Sequence, residues 1–444
     1  MAETGDVQES SAEIAPSRRH GMRALRLLVF VALAAGLLWA IVTHSLVAAV
    51  VEIDPRRALA IRADDPSALL AQIDRTMDQV RRQKASPASD AQAPSGRQHE
   101  DELGRQARAI LAQEPGNARA LAMLGDVARR AGKDEEAKTL FEASARRSLR
   151  NPAVLGWLID DALKRQDWPL AVRHIDTMMR YYWEAVTPLT PLLAKLLQNP
   201  EAAPSVVKAV AAAPEWRREF IPRLPDAVTD ARVPLELFLA LKSTSHPPTA
   251  RELRWYLNFL IERKFYDLAY STWLRFLPPE QLASVGPLFN GSFESRPTGL
   301  PFDWSPAREG WGTVAIERRA DRPAERALVI RFGQGRADLD YLRQLMRLQP
   351  GRYRVEGLTM GEMQASRGMR WRVRCVGDQA SDIGESALIG GRTRAWTAFS
   401  FDVVVPETGC AAQEIRLMLD ARTPSEQLVS GTISFDEMSV RRMD

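Results

Sequence analysis

The chain has 444 residues, of which 45% are hydrophobic and 26% charged, with a formal net charge of +4 and two cysteines. That length exceeds one ordinary domain and calls for two or three. The charge is spread along the chain, which excludes the clustered basic footprint of a nucleic-acid binder, and two cysteines with no histidine nearby cannot complete a four-ligand zinc site. Arginine far outnumbers lysine and alanine is abundant, the composition expected of a GC-rich bacterial genome.

Residues 1–23 read as a polar cytoplasmic tail and 24–51 as a transmembrane helix. Beyond Arg26 no charged side chain occurs until Glu52, and Leu27 to Val42 is continuously apolar apart from Gly36. A bilayer core needs about 20 apolar residues in a helix, which this stretch supplies. Arg18, Arg19, Arg23 and Arg26 precede it, whereas Glu52, Asp54, Arg56 and Arg57 cancel on its far side. Positive charge is retained in the cytoplasm. The expectation is therefore a single-pass bacterial inner-membrane protein with its C-terminal bulk in the periplasm. The alternative is a cleaved signal peptide, whose apolar region would run to only about 7–15 residues.

Residues 52–100 hold an amphipathic helix and a linker. Leu69, Leu70, Ile73, Met77 and Val80 share one helical face, and Lys84 to Gln98 is rich in Ala, Ser, Pro and Gln. From 101 to 282 the pattern is helical throughout. Leu121, Leu124, Gly125, Ala128, Gly132, Ala137, Leu140 and Phe141 follow Pro115-Gly116-Asn117, with Gly132-Lys133-Asp134 as the turn. These spacings resemble a tetratricopeptide repeat. Residues 152–180 look like a second copy, with Ile159 where the small residue belongs, and Arg251 to Leu277 suggest a third hairpin. Thr187 to Pro248 is helical and broken by prolines. The resemblance implies a stacked solenoid that presents a surface to a protein partner.

After Pro278-Pro279 the period changes from helical to two. Met369, Trp371, Val373 and Cys375 alternate with three arginines. Thr397–Val405, Ala327–Phe332, Tyr353–Leu358 and the run through Ile415, Leu417 and Leu419 add strands. Many short strands with Gly and Pro turns make residues 287–444 an all-β sandwich. Within the closing strand Ile433 and Phe435 have one parity, and Met438 and Val440 the other. A β-bulge at Asp436-Glu437 reconciles them.

This segment opens Leu288-Phe-Asn-Gly-Ser-Phe-Glu294 and closes Gly431-Thr-Ile-Ser-Phe-Asp-Glu-Met-Ser-Val440. Together with Pro301-Phe302-Asp303-Trp304 and Leu348-Gln-Pro-Gly-x-Tyr353, these ends resemble the jelly-roll, galactose-binding-like carbohydrate-binding modules. The resemblance implies a structural calcium ion held by Glu294 and Asp436. Its competitor is a pair of solvated strand-end acids. No other cofactor is expected. A glycan would need aromatic rings to stack on, and Trp311, Trp396, Trp304 and Tyr341 are the candidates, each against the alternative of core packing. Cys375 and Cys410 either pair, which in an oxidising compartment would stabilise by roughly 3–4 kcal/mol, or remain two buried thiols.

Catalytic machinery is not evident. None of the five histidines falls in the β-domain, and no Gly-x-Ser-x-Gly or His-Glu-x-x-His occurs. Carboxylate pairs for glycoside hydrolysis need only meet in space; Glu294, Glu309, Asp338 and Asp340 are the nearest candidates. The reading is a non-enzymatic, membrane-anchored periplasmic scaffold. Its helical repeats would bind a protein, and its sandwich glycan or protein, in a setting of exopolysaccharide or envelope polysaccharide synthesis or export. A lectin-like envelope protein is the alternative, and a carbohydrate-active enzyme the third possibility.

Overall fold

The apolar N-terminal stretch is helical. In the computed structural model α1 spans Ser17–Val51, and its Leu27–Val51 portion is the one helix among the described residues long and apolar enough to cross a membrane. Leu27, Phe30, Leu33 and Trp39 are all exposed along it. The structure describes residues 17–84, 96–306, 312–333, 336–337, 340–377 and 380–443. Most of the expected cytoplasmic tail, the middle of the expected linker, and Trp311, Glu309 and Asp338 lie outside those residues.

The chain divides into two compact units, one ending at Tyr181 and one running from Tyr182. That division falls inside the helical stretch. The first unit continues with α2 (Pro55–Ile61), α3 (Pro66–Lys84), α4 (Gly96–Gln113), α5 (Ala118–Arg130), α6 (Asp134–Arg147), α7 (Pro152–Lys164) and α8 (Trp168–Tyr181). Asn117 and Asn151 cap α5 and α7 by accepting from N–H groups of the first turn, which satisfies donors that a helix start leaves free. Helices α3, α4 and α5 close over Leu69, Ile73, Leu103, Ala107, Ile110 and Ala120. A cavity of about 810 Å³ opens along α3, α5 and α7, with Met123, Val127, Phe141 and Trp157 among its walls.

The second unit begins with α9 (Val186–Leu197), α10 (Ala203–Ala211), α11 (Arg217–Arg223), α12 (Val233–Leu241), α13 (Ala250–Glu262), α14 (Tyr266–Phe276) and α15 (Pro279–Leu282). The hairpins α5–α6, α7–α8 and α13–α14 turn in the same way. Each passes through one left-handed residue: Gly132 (φ 74°), Gln166 (φ 58°) and Lys264 (φ 63°). In each, the next N–H bonds five residues back, at 3.0, 2.9 and 2.8 Å. The fifth residue after the left-handed one is Ala137, Ala171 or Ala269, each fully buried. Glycine suits that backbone and L side chains resist it, which is why the sequence marks this turn plainly only once.

Ten strands follow among the described residues: β1 (Ser305–Pro306), β2 (Gly312–Arg318), β3 (Arg326–Phe332), β4 (Asp340–Met346), β5 (Gly351–Gln364), β6 (Met369–Cys375), β7 (Asp382–Glu385), β8 (Gly391–Val405), β9 (Gln413–Leu419) and β10 (Ser430–Arg442). They form two antiparallel sheets, ordered β1-β4-β9-β6-β7 and β2-β3-β10-β5-β8. Alternation puts Trp371, Val373, Ile415 and Leu417 of one sheet against Val355, Val403, Ile433 and Phe435 of the other, all nearly or fully buried. Cys375 and Cys410 are joined, with an S–S distance of 2.00 Å and a sequence separation of 35. The register of β10 against β5 shifts between Asp436 and Ser439, the bulge that the parity change requires. Gly291 of the opening motif lies against that bulge, where a Cβ would meet the Met438 carbonyl oxygen at 2.0 Å.

The helices and the sandwich of this unit share an aromatic seam. Trp273 lies 5.1 Å from Phe289 and 5.7 Å from Phe302, and Tyr270 lies 5.2 Å from Phe302. Arg254 Nε donates to the Gly299 carbonyl at 2.9 Å, and Arg347 pairs with Asp267. Buried Gln344 holds Phe289 by its backbone, accepting from its N–H and donating to its C=O at 2.9 Å each.

Candidate functional site

Two irregularities aim side chains at one place on the outward face of the second sheet. The first is the β10 bulge, where Glu437 takes φ 51°. Asp436 there faces away from the core, yet is only 2% exposed. The second lies on β8. Thr397 pairs with Thr359 and Thr393 with Gly361, so Arg394, Ala395 and Trp396 oppose the single Met360. Bulges of this kind re-aim side chains, and both flank what covers Asp436.

That cover is Arg319, from the turn between β2 and β3. Its side chain is 2% exposed and its Nη1 donates to Asp436 Oδ2 at 2.6 Å. Its Nε and Nη2 donate to the two oxygens of Asp321 at 3.1 and 2.7 Å. Its guanidinium carbon stands 4.3 Å from the centre of the Trp396 ring. Trp396 Nε1 donates to Asp321 Oδ1 at 3.1 Å, so the indole is held by its face and its edge while remaining partly exposed. The bonds from Arg319, with help from Trp396, hold the Asp321 carboxyl well below the usual carboxylate range. Burial pushes Asp436 up, against the pull of the same guanidinium.

Next to this assembly the sheet face is ordered in cross-strand rows. Ala315, Val329, Ser434 and Met360 form one row, and Thr313, Arg331, Thr432, Glu362 and Arg392 the next. Arg392 and Glu362 pair within the second row at 3.3 Å, and Arg331 reaches out of it to Glu317 of β2 at 2.5 Å. A ring on a short apolar strip, bordered by hydroxyls and charge pairs, offers what a pyranose uses: a stacking face and partners for its hydroxyls.

A calcium ion does not fit the residues present. Glu325, Asp436 and Glu437 bring carboxylate oxygens within 4.8 Å of one another, the kind of donor set calcium prefers. Arg319 Nη1 is already among them, 2.6 Å from Asp436 and 3.5 Å from both Glu325 and Glu437. The cation these acids surround is the guanidinium. Glu294 is not part of the group; its Oε1 accepts from the Arg326 N–H at 2.9 Å, at the start of β3.

Trp304 is no glycan platform. It is fully buried, stacks on Phe293 at 5.4 Å and donates its Nε1–H to the Asn290 carbonyl at 2.8 Å. A ring with no exposed face cannot meet a sugar. Tyr341 lies in β4, with its side chain outside the described residues. Asp340 pairs with Arg416. Sequence reasoning missed Arg319, Asp321 and Glu325: acids and arginines in a turn look solvated, and the partner of Arg319 is 117 residues away.

No protein-family model matches the chain, and no curated protein matches it in sequence. The β-sandwich resembles carbohydrate-binding modules in solved structures. One is a CBM4 module, 15% identical, with a TM-score of 0.27, covering 35% of this chain and 99% of that one. Another is TmCBM61 in complex with β-1,4-galactotriose, 16% identical, TM-score 0.24, covering 36% and 100%. A third is the CBM22-1–GH10 portion of a Clostridium thermocellum xylanase complexed with xylohexaose, 13% identical, TM-score 0.25. That match covers 35% of this chain and only 28% of the xylanase chain.

Proposed function

We propose that the chain is a non-catalytic, membrane-tethered glycan-binding scaffold of a bacterial envelope, with polysaccharide taken up on the outward face of the second sheet. The observation that carries this reading is Trp396: a partly exposed indole clamped by Arg319 and Asp321 beside rows of apolar, hydroxyl and charged side chains. α1 is the tether, with the N-terminus cytoplasmic and the rest of the first unit, from α2 on, periplasmic together with the second unit. The Cys375–Cys410 bond supports that side of the membrane, because disulfides persist in oxidising compartments. The test is affinity electrophoresis of the full chain in detergent micelles through gels containing soluble polysaccharides. Retardation by at least one polysaccharide, weakened tenfold or more by Trp396→Ala, is the expected result. Indifference to all of them, or retardation untouched by Trp396→Ala, would remove the reading.

The cavity along α3, α5 and α7 favours a second role in the same protein. We infer that the hairpins of the first unit act as tetratricopeptide-like repeats and that this groove seats a segment of a protein partner of a polysaccharide synthesis or export system.

A further inference from the structure

We propose that Arg319 is the built-in cation of the sandwich: its guanidinium takes the position a divalent metal would hold among Glu325, Asp436 and Glu437, and it fixes the ring of Trp396. The first half stands on geometry alone. A buried carboxylate needs a partner, since stripping one charge from a buried pair leaves the other uncompensated. Asp436 is 2% exposed and its partner is Arg319, also 2% exposed. An arginine cannot lose its proton in a protein, so this cation is permanent. It needs no loading from solution and cannot be extracted by a chelator.

The second half rests on the reading of Trp396 as the ring that meets glycan. A guanidinium is planar and has two uses at once. Its edge donates to Asp436 and Asp321 while its face lies 4.3 Å from the Trp396 ring centre. A spherical metal ion could satisfy the acids but would offer the indole no plane, and a lysine ammonium could not do both. Arg319 is thus a positioning residue, linking the acid cluster on the outward face of the sheet to the aromatic ring beside it.

The experiment uses the full chain in micelles, in calcium chloride and in EDTA. The wild-type melting temperature should be the same in both; stabilisation by calcium would overturn the first half. Arg319→Ala should melt lower and recover part of the loss in millimolar calcium, and adding Asp436→Asn should abolish that recovery. Arg319→Ala that folds but ignores calcium would also count against the vacated site. If Arg319→Ala does not fold, Arg319→Lys keeps the charge and loses the plane. In 5-fluorotryptophan-labelled protein the Trp396 resonance, assigned with Trp396→Phe, should shift in Arg319→Lys, and polysaccharide affinity should fall tenfold or more. An unmoved resonance would overturn the positioning role. Should wild type bind no polysaccharide, the functional reading fails, and the calcium and fluorine measurements still decide this one.

Discussion

Trp273→Ala tests whether the helices and the sandwich of the second unit form one cooperative body. The ring is 1% exposed and meets Phe289, Phe302 and Tyr270 within 6 Å. Truncating a buried tryptophan costs about 3–5 kcal/mol. Among the described residues the Nε1–H of Trp273 has no hydrogen-bond partner, and an unpaired buried donor itself costs about 1–3 kcal/mol, so the loss falls at the low end, about 3 kcal/mol. Since about 1.4 kcal/mol is a factor of ten, this is roughly a hundredfold in the opening equilibrium. Trp273→Phe keeps an aromatic ring in the seam and sheds the unpaired donor, and should cost far less. Site-resolved hydrogen exchange in mild urea is the assay. Amides of α14 and of strands β4 and β9 should lose protection together and by the same factor. Loss confined to α14, with the strands unchanged, would refute the single-body reasoning.

Two further outcomes follow from local geometry and charge. Lys264 occupies a left-handed turn that disfavours a side chain, so Lys264→Gly should raise stability by about 1 kcal/mol, read as a higher urea midpoint. Burial holds the His174 imidazole below its ordinary value of 6.5, with Arg173 adding to the effect. The fold therefore favours the neutral ring: its contribution is full above about 6.5 and is lost as pH falls below that. Melting of the first unit followed from pH 8 to 5 should show that decline, and His174→Gln should flatten it.

Much of the sandwich was legible because a strand half-buried in a core must alternate, and Met369 to Cys375 does so without a break. The β10 bulge was legible for the same reason, since only an extra residue lets Phe435 and Met438 face the same side. The helical turns were legible at Gly132, where the residue announces its φ, and obscure at Gln166 and Lys264, where packing imposes a backbone the side chain resists. The site was hardest. Asp436 stood out as a strand-end acid, but nothing local says that its counter-charge is an arginine rather than a metal. Trp396 stood out as a candidate stacking ring, but its clamp comes from the turn between β2 and β3. Trp304 belongs to the Pro-Phe-Asp-Trp stretch that helps carry the resemblance, and only the closed sandwich shows it wholly enclosed.

The aromatic seam also bears on how such a chain can be taken apart. Phe289 and Phe302 are 5% and 1% exposed with Tyr270 and Trp273 against them. A cut at the end of the helices would turn both rings to water as one sticky patch at the mouth of the sandwich. The sandwich is therefore not portable by itself: grafted onto another chain, it must carry α13 and α14 with it.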